Sequence, residues 1–273
     1  MTSPIEPAPA ARPSFDSPTL AIVMPVLDEG ASLTQRLAAL KPLRARGVRV
    51  VVVDGGSGDD SLALACTGAD LALIAPRGRA SQMNAGAGAC DAELLLFLHA
   101  DTQLPERADE LVRAALAQGK VWGRFDVRID SPRRLLATVA GAMNLRSRLT
   151  GIATGDQAIF MRRGAFDAVG GFPALPLMED IAMSRRLKRL SGPACLRETV
   201  LTSARRWEQH GAWRTIGLMW RLRAAHFLGA DPDRLAQRYD DALETTTATT
   251  MVSPPTESPP TQPTASDPYR ERP

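Results

Sequence analysis

Lysine is almost missing from this chain of 273 residues: Lys41, Lys120 and Lys188 are the only three, so nearly all of its positive charge is arginine. The 33 basic and 30 acidic residues leave a formal net charge of +3, too small for the broad basic surface that holds nucleic acid. Arginine is also the better phosphate fork, so the bias leaves phosphate recognition open. Cysteine is equally sparse. Cys66, Cys90 and Cys195 are odd in number and far apart, with no CxxC pair, which excludes a disulfide framework or a zinc site and fits a reducing compartment. No stretch approaches the roughly 18 apolar residues of a membrane span. The Pro- and Ala-rich amino terminus lacks the basic and apolar regions of a signal peptide. The expectation is a soluble cytoplasmic protein, and no internal repeat complicates it.

The remainder suffices for one sizeable core. Residues 1–18 hold several prolines and little periodicity, which suggests a flexible leader. Residues 241–273 are mostly Thr, Ser and Pro and cannot bury enough surface to offset their ordering entropy, so a disordered tail is expected. Between them, 19–240 read as one domain. Apolar runs at Leu20–Val26, Val48–Val53, Leu71–Ile74 and Leu94–Leu98 alternate with helical patterns at 32–43, 59–66 and 80–87. That order predicts an α/β fold with a mostly parallel central sheet and right-handed crossovers, flanked by helices. Further on, helices are expected over 105–118, 133–149 and 179–190, and strands over 122–129 and 157–161. The strand at 122–129 alternates as a half-exposed strand should. An arginine-rich amphipathic region follows at 210–228.

The run Leu94–Leu98 ends at His99-Ala100-Asp101. If the chain stays extended, His99 and Asp101 project to the same side. Acids stand at corresponding points after two other strands: Asp28-Glu29 after the first and Asp54 after the second. Parallel strands share a carboxyl edge, where open α/β sheets bind ligands. Crowded carboxylates repel unless a cation or a hydrogen-bonding sugar reconciles them. Asp54-Gly55-Gly56-Ser57-Gly58 allows a close backbone approach, yet it lacks the lysine of a P-loop. Gly86-Ala87-Gly88 follows a helix, not a strand, so it is no dinucleotide fingerprint. Arg77-Gly78-Arg79 sits before a helix amino terminus, an arrangement that favours phosphate. Met178-Glu179-Asp180 opens a helix with paired acids, which either complement its dipole or supply a general base.

Taken together, these residues resemble the family 2 glycosyltransferases and their GT-A type nucleotide-binding fold, over about Leu20 to Tyr239. Pro25-Val26-Leu27-Asp28-Glu29 is similar to the opening Pro-x-x-Asn-Glu element, and Asp54–Asp59 to Asp-Asp-Gly-Ser-x-Asp. His99-Ala100-Asp101 stands at the Asp-x-Asp position, and Gly170-Gly171-Phe172 with Glu179-Asp180 matches the glycine turn and the Glu-Asp pair. The set GRASQMNAG (78–86), LLFLHADT (95–102), TGDQAIF (154–160), GGFP (170–173), LMED (177–180) and SARRWE (203–208) resembles one bacterial subgroup, the radical-SAM/selenodomain-associated or arsenosugar-biosynthesis glycosyltransferases.

The resemblance implies roles for residues of this sequence. Pro25, Asp28, Glu29, Asp54, Gly56, Ser57, Arg79, Asn84 and Ala100 would surround the nucleotide of a nucleotide-diphosphate sugar, with a UDP-sugar the expected donor. Asp101 would bind a divalent metal, Mn²⁺ or Mg²⁺. His99 would be a further ligand only if the ion tolerates imidazole, as Mn²⁺ does. Asp180 would be the base of an inverting transfer, with Glu179 positioning the helix or acceptor. Gly155, Asp156, Gln157, Arg206 and Trp207 would line the acceptor side, for a small-molecule or lipid-linked acceptor. Two other classes stay open: a sugar-nucleotide nucleotidyltransferase, which the acidic Asp28-Glu29 turn disfavours, and a catalytically silent nucleotide-binding partner. Residues 210–228 would either pack on their own domain or lie on an anionic membrane surface at the inner face of the membrane.

Overall fold

The computed structural model of the chain describes residues 19–238 except 229, 232, 233 and 236, and only the backbone of Arg206, His210, Ala212, His226 and Phe227. The leader, and the tail beyond 238, lie outside the described residues. The amino-terminal half is the expected alternation: β1 (Leu20–Val26), α1 (Gly30–Ala39), α2 (Lys41–Ala45), β2 (Arg49–Asp54), α3 (Ser61–Gly68), β3 (Leu71–Ile74), α4 (Arg79–Gly88) and β4 (Leu94–Phe97). The single helix expected over 32–43 is two, because Pro42 sits in the first turn of α2 and cannot donate back to α1. Then come β5 (Thr102–Gln103), α5 (Ala108–Ala117), β6 (Trp122–Asp130), α6 (Arg134–Thr150), a 3-10 turn (Gly155–Gln157), β7 (Phe160–Arg162), α7 (Arg163–Ala168), α8 (Glu179–Leu187), β8 (Ala194–Ser203), α9 (Arg205–His210) and α10 (Ala212–Phe227).

The eight strands form one sheet in the order β3-β2-β1-β4-β7-β6-β8-β5. From β3 to β4 every pairing is parallel, and β6 with β8 is parallel again. The pairings of β4 with β7, β7 with β6 and β5 with β8 are antiparallel, so the sheet is mixed. β1 is buried along its whole length, as a strand with parallel neighbours on both edges must be. Pro25 is tolerated in it for a specific reason. Its nitrogen faces the β4 side, and β4 has ended by then, its last partner being Phe97 against Val23. Gly86 of α4 has an equally specific role: a Cβ there would stand 2.5 Å from Val23 Cγ1 and 2.8 Å from Val53 Cγ2. Gly86 thus lets α4 press on the sheet, while a side chain at Gly88 would meet nothing.

Two expectations need correction. β6 alternates only in its second half; its first four residues are all buried, because β7 and β8 flank it there. His99 and Asp101 do not sit on an extended strand. β4 stops at Phe97, and Thr102 N–H donates to His99 C=O at 3.0 Å, closing a turn around the pair. α10 packs on its own domain: Leu222 is buried with Leu177, Met178, Ile181 and Leu235. Its other side faces out, with Trp213 and Trp220 about three-quarters exposed.

Candidate active site

The carboxyl ends of β1 and β2 are tied into one rim. Asp54, almost fully buried, accepts from the N–H groups of Gly56 and Ser57 at 2.9 Å and from the Ser57 hydroxyl, so it shapes the glycine loop. Asp28, at φ 53°, accepts from Gly58 N–H at 2.7 Å, while its own N–H donates to Ser57 Oγ. The Asp28–Glu29 turn and the 54–58 loop therefore meet, as parallel register predicts. Gln82 closes the rim from below, its amide donating at 2.8 Å to the carbonyls of both Val26 and Val53. Glu29 receives the Arg205 guanidinium at 2.9 Å, which fastens α9 over the end of β1.

A second group gathers around the start of α8. Met178 adopts φ 66° as the N-cap, which turns Glu179 inward and Asp180 toward the crevice wall. Asp180 Oδ2 accepts from Gly155 N–H at 2.8 Å and Oδ1 from Ile181 N–H at 2.6 Å. Glu179 is buried. Loss of hydration, reinforced by the charge of Asp180, raises its pKa, while Arg79 at 3.9 Å and His99 oppose the rise. The His99 ring lies on Gly155, and its Nδ1 is 3.7 Å from Asp156. His99, Gly155, Glu179 and Asp180 share the lining of a cavity of about 10 Å³, room for one water. A larger concavity of about 650 Å³ lies at the opposite edge by Arg162 and Arg163, but Arg163 is engaged there with the carbonyls of Cys90 and Ala92.

Several residues assigned to ligands by the sequence are engaged elsewhere. Asn84 donates one amide N–H to Phe172 C=O and accepts from Phe172 N–H, so it anchors the Gly170–Phe172 turn. Pro25 and Ala100 are buried. Gln157 is fully buried and holds its own turn through Thr154 N–H and Asn144 Oδ1, which removes it from the acceptor side. Trp207 packs against the small cluster of Ile129, Leu136, Ala140 and Ala204. The Arg206 side chain lies outside the described residues, and its neighbour Arg205 makes the link to Glu29. Sequence reasoning overlooked Arg205 and Gln82, since nothing distinguishes a clamp from any other polar residue before the chain is folded.

Among the described residues no cluster of three or more His, Cys, Asp and Glu could hold a metal. Asp101 nevertheless fits an ion of a particular kind. One carboxylate oxygen accepts from the Thr102 hydroxyl at 3.1 Å, and the group stands on the turn that follows the central strand. Mg²⁺-like ions are commonly held by one or two carboxylates, with substrate phosphates and water completing the sphere. No helix among the described residues is long and apolar enough to cross a membrane.

The family model of glycosyl transferase family 2 matches residues 21–170, over half of the chain. The chain belongs to this family. A PGL/p-HBAD biosynthesis glycosyltransferase of Mycobacterium tuberculosis is 32% identical over 169 residues, covering 57% of this chain and 64% of that protein. The chain thus spans less than two thirds of the curated relatives' length. A mannosyltransferase of Pyrobaculum calidifontis, solved with GDP-Man and Mn²⁺, superposes with a TM-score of 0.59 at 21% identity, covering 93% of this chain and 80% of the other. Glucosyl-3-phosphoglycerate synthase of M. tuberculosis, solved with Mn²⁺, UDP and glucosyl-3-phosphoglycerate, gives 0.52 at 16% identity, covering 67% and 70%. These likenesses establish the fold that this family 2 chain shares.

Proposed function

We propose that the chain is a metal-dependent inverting glycosyltransferase that moves a sugar from a nucleotide-diphosphate sugar, with UDP as the first candidate, to an acceptor hydroxyl. One observation carries the reading: the two backbone N–H bonds that fix Asp180 at the crevice wall beside Gly155. A base must be held where the proton will be, and two amide donors hold this carboxylate while leaving it lone pairs free. In the reaction the acceptor O–H gives its proton to Asp180. The oxygen attacks the anomeric carbon from the face opposite the diphosphate, the carbon–oxygen bond to the diphosphate breaks, and the configuration inverts. Asp101 would hold a divalent cation, with His99 as its neighbour on the same turn; the ion's charge would offset that of the departing diphosphate. The 54–58 loop and the Asp28–Glu29 turn would receive the nucleoside.

UDP, GDP-Man and Mn²⁺ in the solved structures of similar fold support this donor class. The motif set of 78–86, 95–102 and 154–160 supports a place in the arsenosugar-associated subgroup. The acceptor is a small molecule or a lipid-linked alcohol. The outward side of α10 favours a peripheral place at an anionic membrane surface: Trp213, Gly217, Trp220 and Ala224, followed by Leu228, recur at helical spacing and are exposed, beside exposed Arg214 and Arg221. The deciding experiment is a thermal-shift screen of nucleoside diphosphates and their sugars with Mn²⁺, followed by a measurement of free nucleoside diphosphate released. A ligand that binds only the folded state must raise its stability. Binding without release would reduce the protein to a silent nucleotide binder, and no binding at all would end the proposal.

A further inference from the structure

Two arginines near the base carry buried donors with nothing to bind. Nε and Nη2 of Arg146, on α6, and Nε of Arg223, on α10, are shut off from water without a hydrogen-bond partner. A buried charged donor left unmade is costly, and buried charges are ordinarily paired. The nearby Arg124, fully buried, also leaves its Nε without a partner, but its guanidinium pairs with Asp126 and donates to Asn144 C=O.

Two helices bring Arg146 and Arg223 to the same place. Asn144, two residues before Arg146, bonds the N–H and C=O of Val127 and also Gln157, which ties α6 to the 155–157 turn. Leu222, next to Arg223, packs on Met178 and Ile181, on either side of Glu179 and Asp180. The two helices therefore converge on the region where Gly155 N–H meets Asp180, and Arg146 is close enough to Arg223, Asp180 and Asp156 to feel their charges. Burial, then the like charge of Arg223, pulls the pKa of Arg146 down to about 10, while Asp180 and Asp156 hold it up. Neither of those carboxylates belongs to the nucleotide rim of Asp28, Glu29 and Asp54.

We propose that Arg146 and Arg223 form an anion subsite for the acceptor, which carries a phosphate or carboxylate group close to the hydroxyl that Asp180 deprotonates. The proposal rests on the reading of Asp180 as the base. An anion would supply the missing acceptors and separate two repelling cations. The acceptor would then be positioned by its charge, and the pair would not act on the sugar.

The test uses the full chain saturated with Mg²⁺ and UDP, so that the donor's own phosphate sites are filled. Orthophosphate and, separately, acetate are titrated by calorimetry and thermal shift. One of the two is expected to bind and raise the melting temperature. Arg146→Met and Arg223→Met should each weaken that binding about tenfold or more, as expected on losing hydrogen bonds to a charged group. Neither should change the affinity for UDP. Without ligand each variant should melt no lower than wild type, because it removes buried donors that have no partner. If one does melt lower, Arg146→Gln and Arg223→Gln, which keep a polar group, replace it in the same titration. Absence of anion binding, or binding that survives both substitutions, overturns the subsite. Loss of UDP affinity in step with anion affinity would give the arginines to the donor and overturn it equally. If UDP itself fails to bind, the glycosyltransferase reading falls, and the anion titration on nucleotide-free protein still decides the subsite.

Discussion

The N–H of Gly155 donates to Asp180 Oδ2 at 2.8 Å, joining a 3-10 turn to the amino terminus of α8 across 25 residues of sequence. Asp180→Asn keeps an oxygen to accept this bond, so the turn should stay in place and nucleotide binding should persist. The proton acceptor is gone, and the rate should fall roughly 10²–10⁴-fold. Calorimetry for binding and nucleoside diphosphate release for turnover check the two halves separately. Wild-type turnover by the variant would remove Asp180 from the reaction.

Gly155 also touches His99. A Cβ at 155 would lie 2.3 Å from Cε1 and 2.4 Å from Nε2 of that ring, which is hemmed in between the turn and α8. Gly155→Ala should cost about 1–3 kcal/mol of stability, as overpacking does, and should lower turnover by displacing Asp180. Urea unfolding gives the first number and an activity assay the second. An unchanged midpoint would mean that His99 is free to move.

Asp101 is the expected holder of the ion. Asp101→Ala should abolish Mn²⁺-dependent nucleotide binding in calorimetry, because the remaining protein groups around the turn are too few to hold a divalent cation. Binding that stays metal-dependent in the variant would place the ion elsewhere.

The four parallel strands were legible because each is an apolar run closed by a turn, and the acids at the ends of three of them follow from shared direction. The glycine loop and the Glu-Asp pair were legible as motifs. Other features depended on partners distant in sequence. β8 has no apolar signature, with Arg197, Glu198 and Thr199 all exposed, and it exists because β6 offers an edge. Asn84 and Gln157 sit inside motifs that suggest ligands, yet their amides are bonded to Phe172 and Asn144, which no local pattern announces. The turn at His99–Asp101 was hidden because the apolar run continues to Leu98, one residue past the last ladder pair.

Trp213 and Trp220 lie seven residues apart on α10, both largely exposed, while Leu222 on another face is buried. Trp213→Ala with Trp220→Ala should leave the stability within about 0.5 kcal/mol of wild type, as surface changes do. The double variant should co-sediment less with anionic liposomes than the wild type does. Equal sedimentation of the two proteins, or none by the wild type, would remove the membrane from the proposal.

Glu179 gives the stability a pH dependence of definite sign. Its pKa is raised by burial first and then by Asp180, against Arg79 and His99, so the folded chain binds its proton more tightly than the unfolded one. A raised carboxyl stabilises the fold fully below the ordinary glutamate value, about 4.3, and that contribution is lost as pH rises through the higher native value. Wild type should therefore lose stability over that window relative to Glu179→Gln, which cannot ionise and keeps the shape of the side chain. Melting temperatures of the two proteins from pH 4 upward, without nucleotide or metal, would show the curves diverging as pH increases. Parallel curves would mean that Arg79 closes on Glu179 and holds its pKa at the ordinary value.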